Sequence, residues 1–122
     1  MLILEGSDMR LKFHITEKEY TDGIVTKETD KDLTEYDSVI LSIKYFDGIV
    51  DYEGTIDNWQ GGDGNSYVVF ELLSEDTAGK SGKIEAEIWG VKDGFQKNRL
   101  NTDMIQGEIL HSLKIPQWNV ND

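Results

Sequence analysis

The chain has 122 residues, no cysteine, one proline and a formal net charge of −12, the size of a single domain that buries about two-thirds of its unfolded surface. The lack of cysteine excludes disulfides and thiolate metal sites. The acidity disfavours binding of DNA or RNA through phosphates, which needs a basic patch. No apolar run approaches the ~20 residues of a membrane-spanning helix, and the opening MLILEGSD turns acidic too early for a signal peptide.

Three explanations of the acidity stay open. Carboxylates can simply solvate the outer faces of strands. They can also attract a basic protein partner, or imitate the phosphates of a nucleic acid.

The sequence of the first third of the chain predicts short strands joined by a turn and a surface connection. Residues 1–8 begin with an apolar Leu-Ile-Leu run, which suits an edge strand or a docking arm. Residues 10–19 alternate apolar and polar side chains, so they predict a strand. Asp22-Gly23 is a turn signal before a short strand at residues 24–26. The charged residues 27–37 predict a surface connection whose Leu33 enters the core.

The middle of the chain predicts a hairpin. Residues 38–46 (SVILSIKYF) alternate most clearly, Asp47-Gly48 predicts the turn, and residues 49–56 predict the return strand. Residues 58–65 hold three glycines and predict a loop.

Residues 66–91 predict strand, corner and strand. Val68, Phe70 and Leu72 alternate with Tyr67, Val69 and Glu71, and in the second strand Ile84, Ala86 and Ile88 alternate with Lys83, Glu85, Glu87 and Trp89. The polar corner between them permits one turn of helix from Ser74.

The last third predicts an exposed, locally basic loop over residues 92–101, with an Asp-Gly turn. Residues 102–115 are compatible with a helix, because Ile105 and Ile109 are four residues apart. Gly107 and the terminal Ile-Pro favour one long strand, bulged at Gly107.

This tally of about seven strands predicts an all-β fold, an immunoglobulin-like antiparallel β-sandwich. We expect an N-terminal arm or edge strand at residues 1–9, the sandwich at 10–116 and a tail at 117–122.

The chain resembles the immunoglobulin-like N-terminal domain of phage baseplate upper proteins and related tail, fibre and head-decoration proteins. The resemblance covers residues 10–115. It is carried by the alternating first strand, Asp-Leu-Thr before the second long strand, a glycine-rich return, and a strand–corner–strand ending in Ala-Glu-Ile before a final strand. The matching pieces are residues 11–16, 32–34, 39–45, 61–65, 68–72, 75–78, 82–88 and 109–115. Ile84 stands where the family usually has an aromatic residue, and little follows the domain here.

The resemblance implies a stand-alone virion protein that acts by docking and assembly rather than catalysis. It would be a baseplate, neck, fibre-base or capsid-decorating subunit, assembled in the host cytoplasm. Its partners would be other virion structural proteins and copies of itself, with a host surface glycan as a weaker option. An acidic inhibitor or DNA mimic, and a carbohydrate-binding module, remain the alternatives.

Few residues suggest chemistry. His14 and His111 lie on alternating stretches without further metal-ligand spacing, so ordinary strand histidines are favoured over a zinc site. Glu85 and Glu87, and Asp51 and Glu53, share strand faces about 7 Å apart, but solvated faces explain them better than a glycosidase pair.

A calcium site is the remaining metal option. Asp57, Asp63 and Asn65 surround three glycines, but their spacing is unlike an EF-hand loop. We predict no catalytic residue, cofactor or metal.

Aromatic side chains are the candidate protein contacts: Trp59, Trp89, Phe95 and Trp118. Trp89 is the most informative, because its parity places it with Glu85 and Glu87 and opposite Ile84 and Ile88. We expect it on an outer sheet face, unless that face is covered.

Overall fold

The computed structural model describes residues 1–57, 65–101 and 103–112. In these ranges the fold is an all-β sandwich with several sheets and one short α-helix. None of the helices in this part of the chain is long and apolar enough to cross a bilayer.

The larger sheet runs in the order β1-β11-β9-β5-β6, and β10 pairs with β9 beyond the end of β11. Its strands are β1 (Leu2–Leu4), β5 (Ser38–Tyr45), β6 (Gly48–Glu53), β9 (Gly82–Lys92), β10 (Phe95–Arg99) and β11 (Ile105–Leu110). β1 is parallel to β11, and the other pairs are antiparallel.

The smaller sheet runs in the order β2-β8-β7 and covers the inner face of the larger one. Its strands are β2 (Met9–His14), β7 (Thr55–Asp57) and β8 (Tyr67–Leu72). The core between the sheets contains Leu11, Phe70 and Leu72 from this sheet and Leu41 and Ile88 from the other.

The strand order is that of an immunoglobulin-like sandwich. β2, β8 and β7 occupy the B-E-D positions, and β5, β9 and β11 occupy C-F-G, with β6 as an added C′ strand. The described residues form eleven strands rather than about seven, because β1 adds an edge strand, the predicted strands at residues 10–19 and 49–56 are each divided in two, and β10 forms in the predicted loop at residues 92–101. A separate hairpin is thereby inserted after β2.

The inserted hairpin joins β3 (Thr16–Thr21) to β4 (Ile24–Asp30), and these two strands form a sheet of their own. Asp22 and Gly23 make its turn with φ of 53° and 80°, the left-handed conformation that Asp-Gly favours. The prediction of a surface connection from residue 27 was wrong for residues 27–30, because cross-strand pairs such as Glu19–Lys27 extend the strand.

Leu33 is confirmed in the core, with no exposed surface. It opens the 3₁₀ helix η1 (Leu33–Glu35), where the Asp32 carboxylate accepts the Thr34 N–H at 3.0 Å. The predicted turn of helix at the corner is also confirmed, as α1 (Ser74–Thr77).

The hairpin of β5 and β6 is confirmed, but its turn residues are Phe46 and Asp47, and Gly48 opens β6 with φ of 141°. The predicted return strand is divided at Gly54, where the chain passes from the larger sheet to β7 of the smaller. A Cβ on Gly54 would lie 2.5 Å from Val68 Cγ2 and 2.6 Å from Phe70 Cε1, so only glycine fits this crossing.

The final strand is confirmed over residues 105–110 and is not helical. The predicted bulge at Gly107 was wrong, since the register with β9 runs unbroken through the Gly107–Ile84 pair. A Cβ on Gly107 would lie 2.7 Å from the Met1 carbonyl oxygen. The exposed loop predicted at residues 92–101 is instead β10, and its register shifts between Gln96 and Asn98.

Candidate interaction surfaces

Trp89 lies on the outer face of the larger sheet, half-buried, between Ile40 of β5 and Arg99 of β10. Its indole N–H donates to Glu87 Oε1 at 3.2 Å. Arg99 Nη1 lies 3.3 Å from the other oxygen of Glu87. The Glu87 carboxylate therefore contacts both the indole N–H of Trp89 and the guanidinium of Arg99.

Phe95 lies at the start of β10, directly after the Asp93-Gly94 turn, and is 75 % exposed. It is remote in register from Trp89, which pairs with Arg99 at the other end of the strand. Trp59 and Trp118 lie outside the described residues.

One edge of the larger sheet carries three exposed leucines. Leu2 and Leu4 of β1 are 62 % and 54 % exposed, and Leu110 pairs directly with Leu4. The alternate residue Ile3 is completely buried against the core. Because Ile3 is the residue of β1 that enters the core, the outward leucines leave much of their apolar surface exposed.

A shallow groove lies on the same outer face, lined by Lys44, Phe46, Lys83, Glu85 and Gln106; we call it the Phe46 groove. Phe46 is 74 % exposed, and Ile49 beside Lys44 is also exposed. Among the described residues, neither Lys44 nor Lys83 has a carboxylate at ion-pair distance. The Phe46 groove thus joins exposed apolar surface to two ammonium groups on a strongly acidic molecule.

The hairpin of β3 and β4, residues 16–30, is here called the β3–β4 arm. Nearly all its residues are exposed, and Tyr20, Ile24 and Val25 surround the turn at its tip. Near the base, Glu17 pairs with Lys31 at 2.9 Å and His14 with Asp30 at 2.8 Å. The carboxylates alternate with lysines along the two strands, an arrangement unlike the one-sign ridge that a nucleic-acid mimic needs.

The two histidines are far apart in the topology and have different partners. His14 stacks on Tyr67, with ring centroids 4.4 Å apart. His111 Nδ1 lies 3.2 Å from Glu5 Oε1. Within the described ranges, no group of three potential metal-ligating side chains comes together.

The paired carboxylates have surface environments. Glu85 is exposed beside Lys44 and Gln106, whereas Glu87 is held by Trp89 and Arg99. Asp51 accepts the Ser42 hydroxyl at 2.6 Å, and Glu53 is exposed. Of the proposed calcium loop, Asn65 accepts the Leu33 N–H through its carbonyl, while the side chain of Asp57 and all of Asp63 lie outside the described residues.

Among the residues that the structure describes, Glu5 is the one buried carboxylate, with 5 % of the residue exposed. Its oxygens accept the N–H of Ser112 at 2.8 Å and of Gly79 at 2.9 Å. These backbone bonds, Ser112 first, lower its pKa against the opposing effect of desolvation, and the contact with His111 lowers it further. Glu5 thereby ties the end of β1 both to the corner after α1 and to the chain after β11.

Sequence reasoning missed the Phe46 groove, the β3–β4 arm and Glu5. For the first two a signal was present, since apolar residues flank the turn dipeptides at both tips. No periodicity marks Glu5, whose burial depends on contacts with residues 74 and 107 positions away.

Comparison with protein-family models and with curated proteins finds no match for this chain.

Proposed function

We propose that this protein is a structural accessory subunit of a phage particle, at the baseplate, neck, fibre base or capsid surface, and that it acts by docking rather than catalysis. Its partners are other virion structural proteins and copies of itself. The assignment to a phage particle rests on the sequence resemblance given above. The docking role rests on the surface of the fold.

The docking role is supported by apolar side chains that lie exposed outside the packed core. The three clusters are Leu2, Leu4 and Leu110; Phe46 and Ile49; and Tyr20, Ile24 and Val25. No buried side-chain nitrogen or oxygen in the described part of the chain lacks a hydrogen-bond partner, so none of these side chains needs an outside group to pair with. Grouped apolar surface on a self-sufficient domain is typical of protein interfaces.

The position of these clusters also favours docking. All three lie at tips and edges, where a partner can approach without rearranging the sheets. The charged outer face between them carries both signs, with Lys44, Lys83 and Arg99 among its carboxylates. Mixed charge of this kind supports a specific orientation between partners more than it supports affinity.

The test is mass spectrometry of gradient-purified phage particles from a strain that carries this gene. Peptides of the protein should copurify with the particles at a constant ratio to the major capsid protein through a second gradient. An abundant host cytosolic protein serves as the control for carry-over. Recovery only in the particle-free lysate overturns the proposal.

A further inference from the structure

We infer that the tip of the β3–β4 arm binds in the Phe46 groove of a second copy of this chain. The inference rests on the proposed docking function and names one of its partners.

The β3–β4 arm has little to stabilise it within its own chain. Among the described strands it pairs with no third strand, and its burial pattern is exposed throughout apart from Thr16. A two-stranded hairpin is marginally stable alone in water. Its base is fastened by the Lys31–Glu17 pair and by a bond from the Thr16 hydroxyl to Glu28 at 2.6 Å, which leaves the tip unsupported.

The tip is apolar where the base is charged. Ile24 is 67 % exposed, and Tyr20 and Val25 form a cross-strand pair that is also exposed. Between them the turn carries one carboxylate, Asp22. A partner site for this tip must therefore offer apolar surface and positive charge together.

The Phe46 groove offers that combination. Phe46 provides the apolar surface, and the two ammonium groups of Lys44 and Lys83 outnumber the one carboxylate in the lining, that of Glu85. On a chain with a net charge of −12, few places attract an acidic tip; the other is β10, where Lys97 stands near the exposed Phe95.

The contact must be between molecules. Within one chain the arm flanks a different groove, formed by Thr16, Lys18 and Tyr20 with residues 99–101, and no arm residue lines the Phe46 groove. Two copies related by a two-fold axis would each place an arm in the groove of the other. Copies related by another rotation would form a ring or a filament.

Because the chain has no cysteine, introduced cysteines test the contact directly. Ile24→Cys protein is mixed with isotope-labelled Phe46→Cys protein under mild oxidation, and mixed disulfide dimers are measured by mass spectrometry. The matched control mixes Ile24→Cys with Phe95→Cys, since Phe46 and Phe95 are 74 % and 75 % exposed. We expect cross-linking at least roughly tenfold faster in the first mixture, because bound neighbours have a raised effective concentration.

Two charge variants complete the test. Lys44→Glu with Lys83→Glu, placed in the Phe46→Cys protein, should remove most of the rate advantage, and Asp22→Asn, which suits the positive φ of the turn, should reduce it. Circular dichroism verifies that each variant is folded. Equal rates in the two mixtures overturn the inference.

The two proposals fail separately. Copurification with particles without preferential cross-linking leaves the docking function standing and assigns the arm to another subunit. Preferential cross-linking without copurification leaves the self-contact standing and overturns the virion role.

Discussion

The Glu5 carboxylate lies 3.2 Å from the imidazole of His111, although the Glu5 side chain is almost fully buried and the His111 side chain is 69 % exposed. The same carboxylate accepts the backbone N–H groups of Ser112 and Gly79. One side chain thus connects the beginning of the chain, the corner between the sheets and the segment after the last described strand.

We predict that the contacts of the Glu5 carboxylate make the fold less stable at acid pH. The folded-state pKa of Glu5 lies below its ordinary value of 4.5, so its contribution is fully present above pH 4.5 and is lost as the pH falls through the folded pKa. Melting followed by circular dichroism from pH 7 to pH 3 should show a smaller acid-induced loss of Tm in Glu5→Gln than in wild type, with a lower Tm at pH 7. The exposed Glu108→Gln is the control, since it changes the net charge equally. An unchanged pH profile in Glu5→Gln would contradict the prediction.

We predict that any side chain at Gly90 destabilises the fold. A Cβ there would lie 2.6 Å from Tyr36 Cε1, and Tyr36 is buried with its hydroxyl donating to Asn98 at 2.8 Å. Gly90→Ala should lower the free energy of unfolding by about 1–3 kcal/mol, as overpacking does, measured by urea denaturation. The double variant Gly90→Ala with Tyr36→Ala should lose less free energy of unfolding than the sum of the losses in the two single variants. Additive losses would show that the ring and the glycine are not in conflict.

Gly107→Ala should loosen β1 without unfolding the sandwich. The new methyl would meet the backbone of Met1, whose carbonyl accepts the Glu108 N–H at 2.9 Å. Hydrogen exchange by mass spectrometry should show faster exchange in residues 2–4, with the amides of β5 and β9 unchanged. Leu2→Ser, which alters an exposed side chain of the same strand, is the comparison. If hydrogen exchange in β1 is as slow in Gly107→Ala as in wild type, the glycine is not needed for the pairing of β1 with β11.

Trp89→Ala should weaken subunit association by about tenfold, the effect of losing one aromatic anchor at an interface, and leave the monomer folded. Sedimentation velocity measures the association, and far-ultraviolet circular dichroism measures the fold. Ser38→Ala, on a neighbouring strand of the same sheet, is the control. Loss of the fold would show that the half-buried indole is needed for packing instead.

The sandwich itself could be predicted from the sequence because period-two alternation fixes which side chains face inward. Residues 38–45 and 82–92 bury every second residue as that pattern requires. Leu33 was recognised because it stands as the apolar residue in a charged stretch. The outward placement of Trp89 followed from the same parity.

The remaining features depend on tertiary contacts that alternation does not report. Residues 27–30 form a strand because β3 pairs with them, although their composition is that of a loop. Glycine is required at residue 54 because the Phe70 ring leaves no space for a Cβ, and at residue 107 because the Met1 carbonyl leaves none. The Phe46 groove is assembled from three strands, so no single stretch of sequence contains it.

The parallel pairing of β1 with β11 has a consequence for synthesis. Glu5 and Ser112 are hydrogen-bonded across 107 residues of chain, and the ladder beside them joins Ile3 to Ile109. Because β1 is synthesised before β11, Leu2–Leu4 have no strand to pair with until Glu108–Leu110 has been made. Closures between such distant residues slow folding, and the apolar strand that stays exposed in the meantime is prone to aggregation.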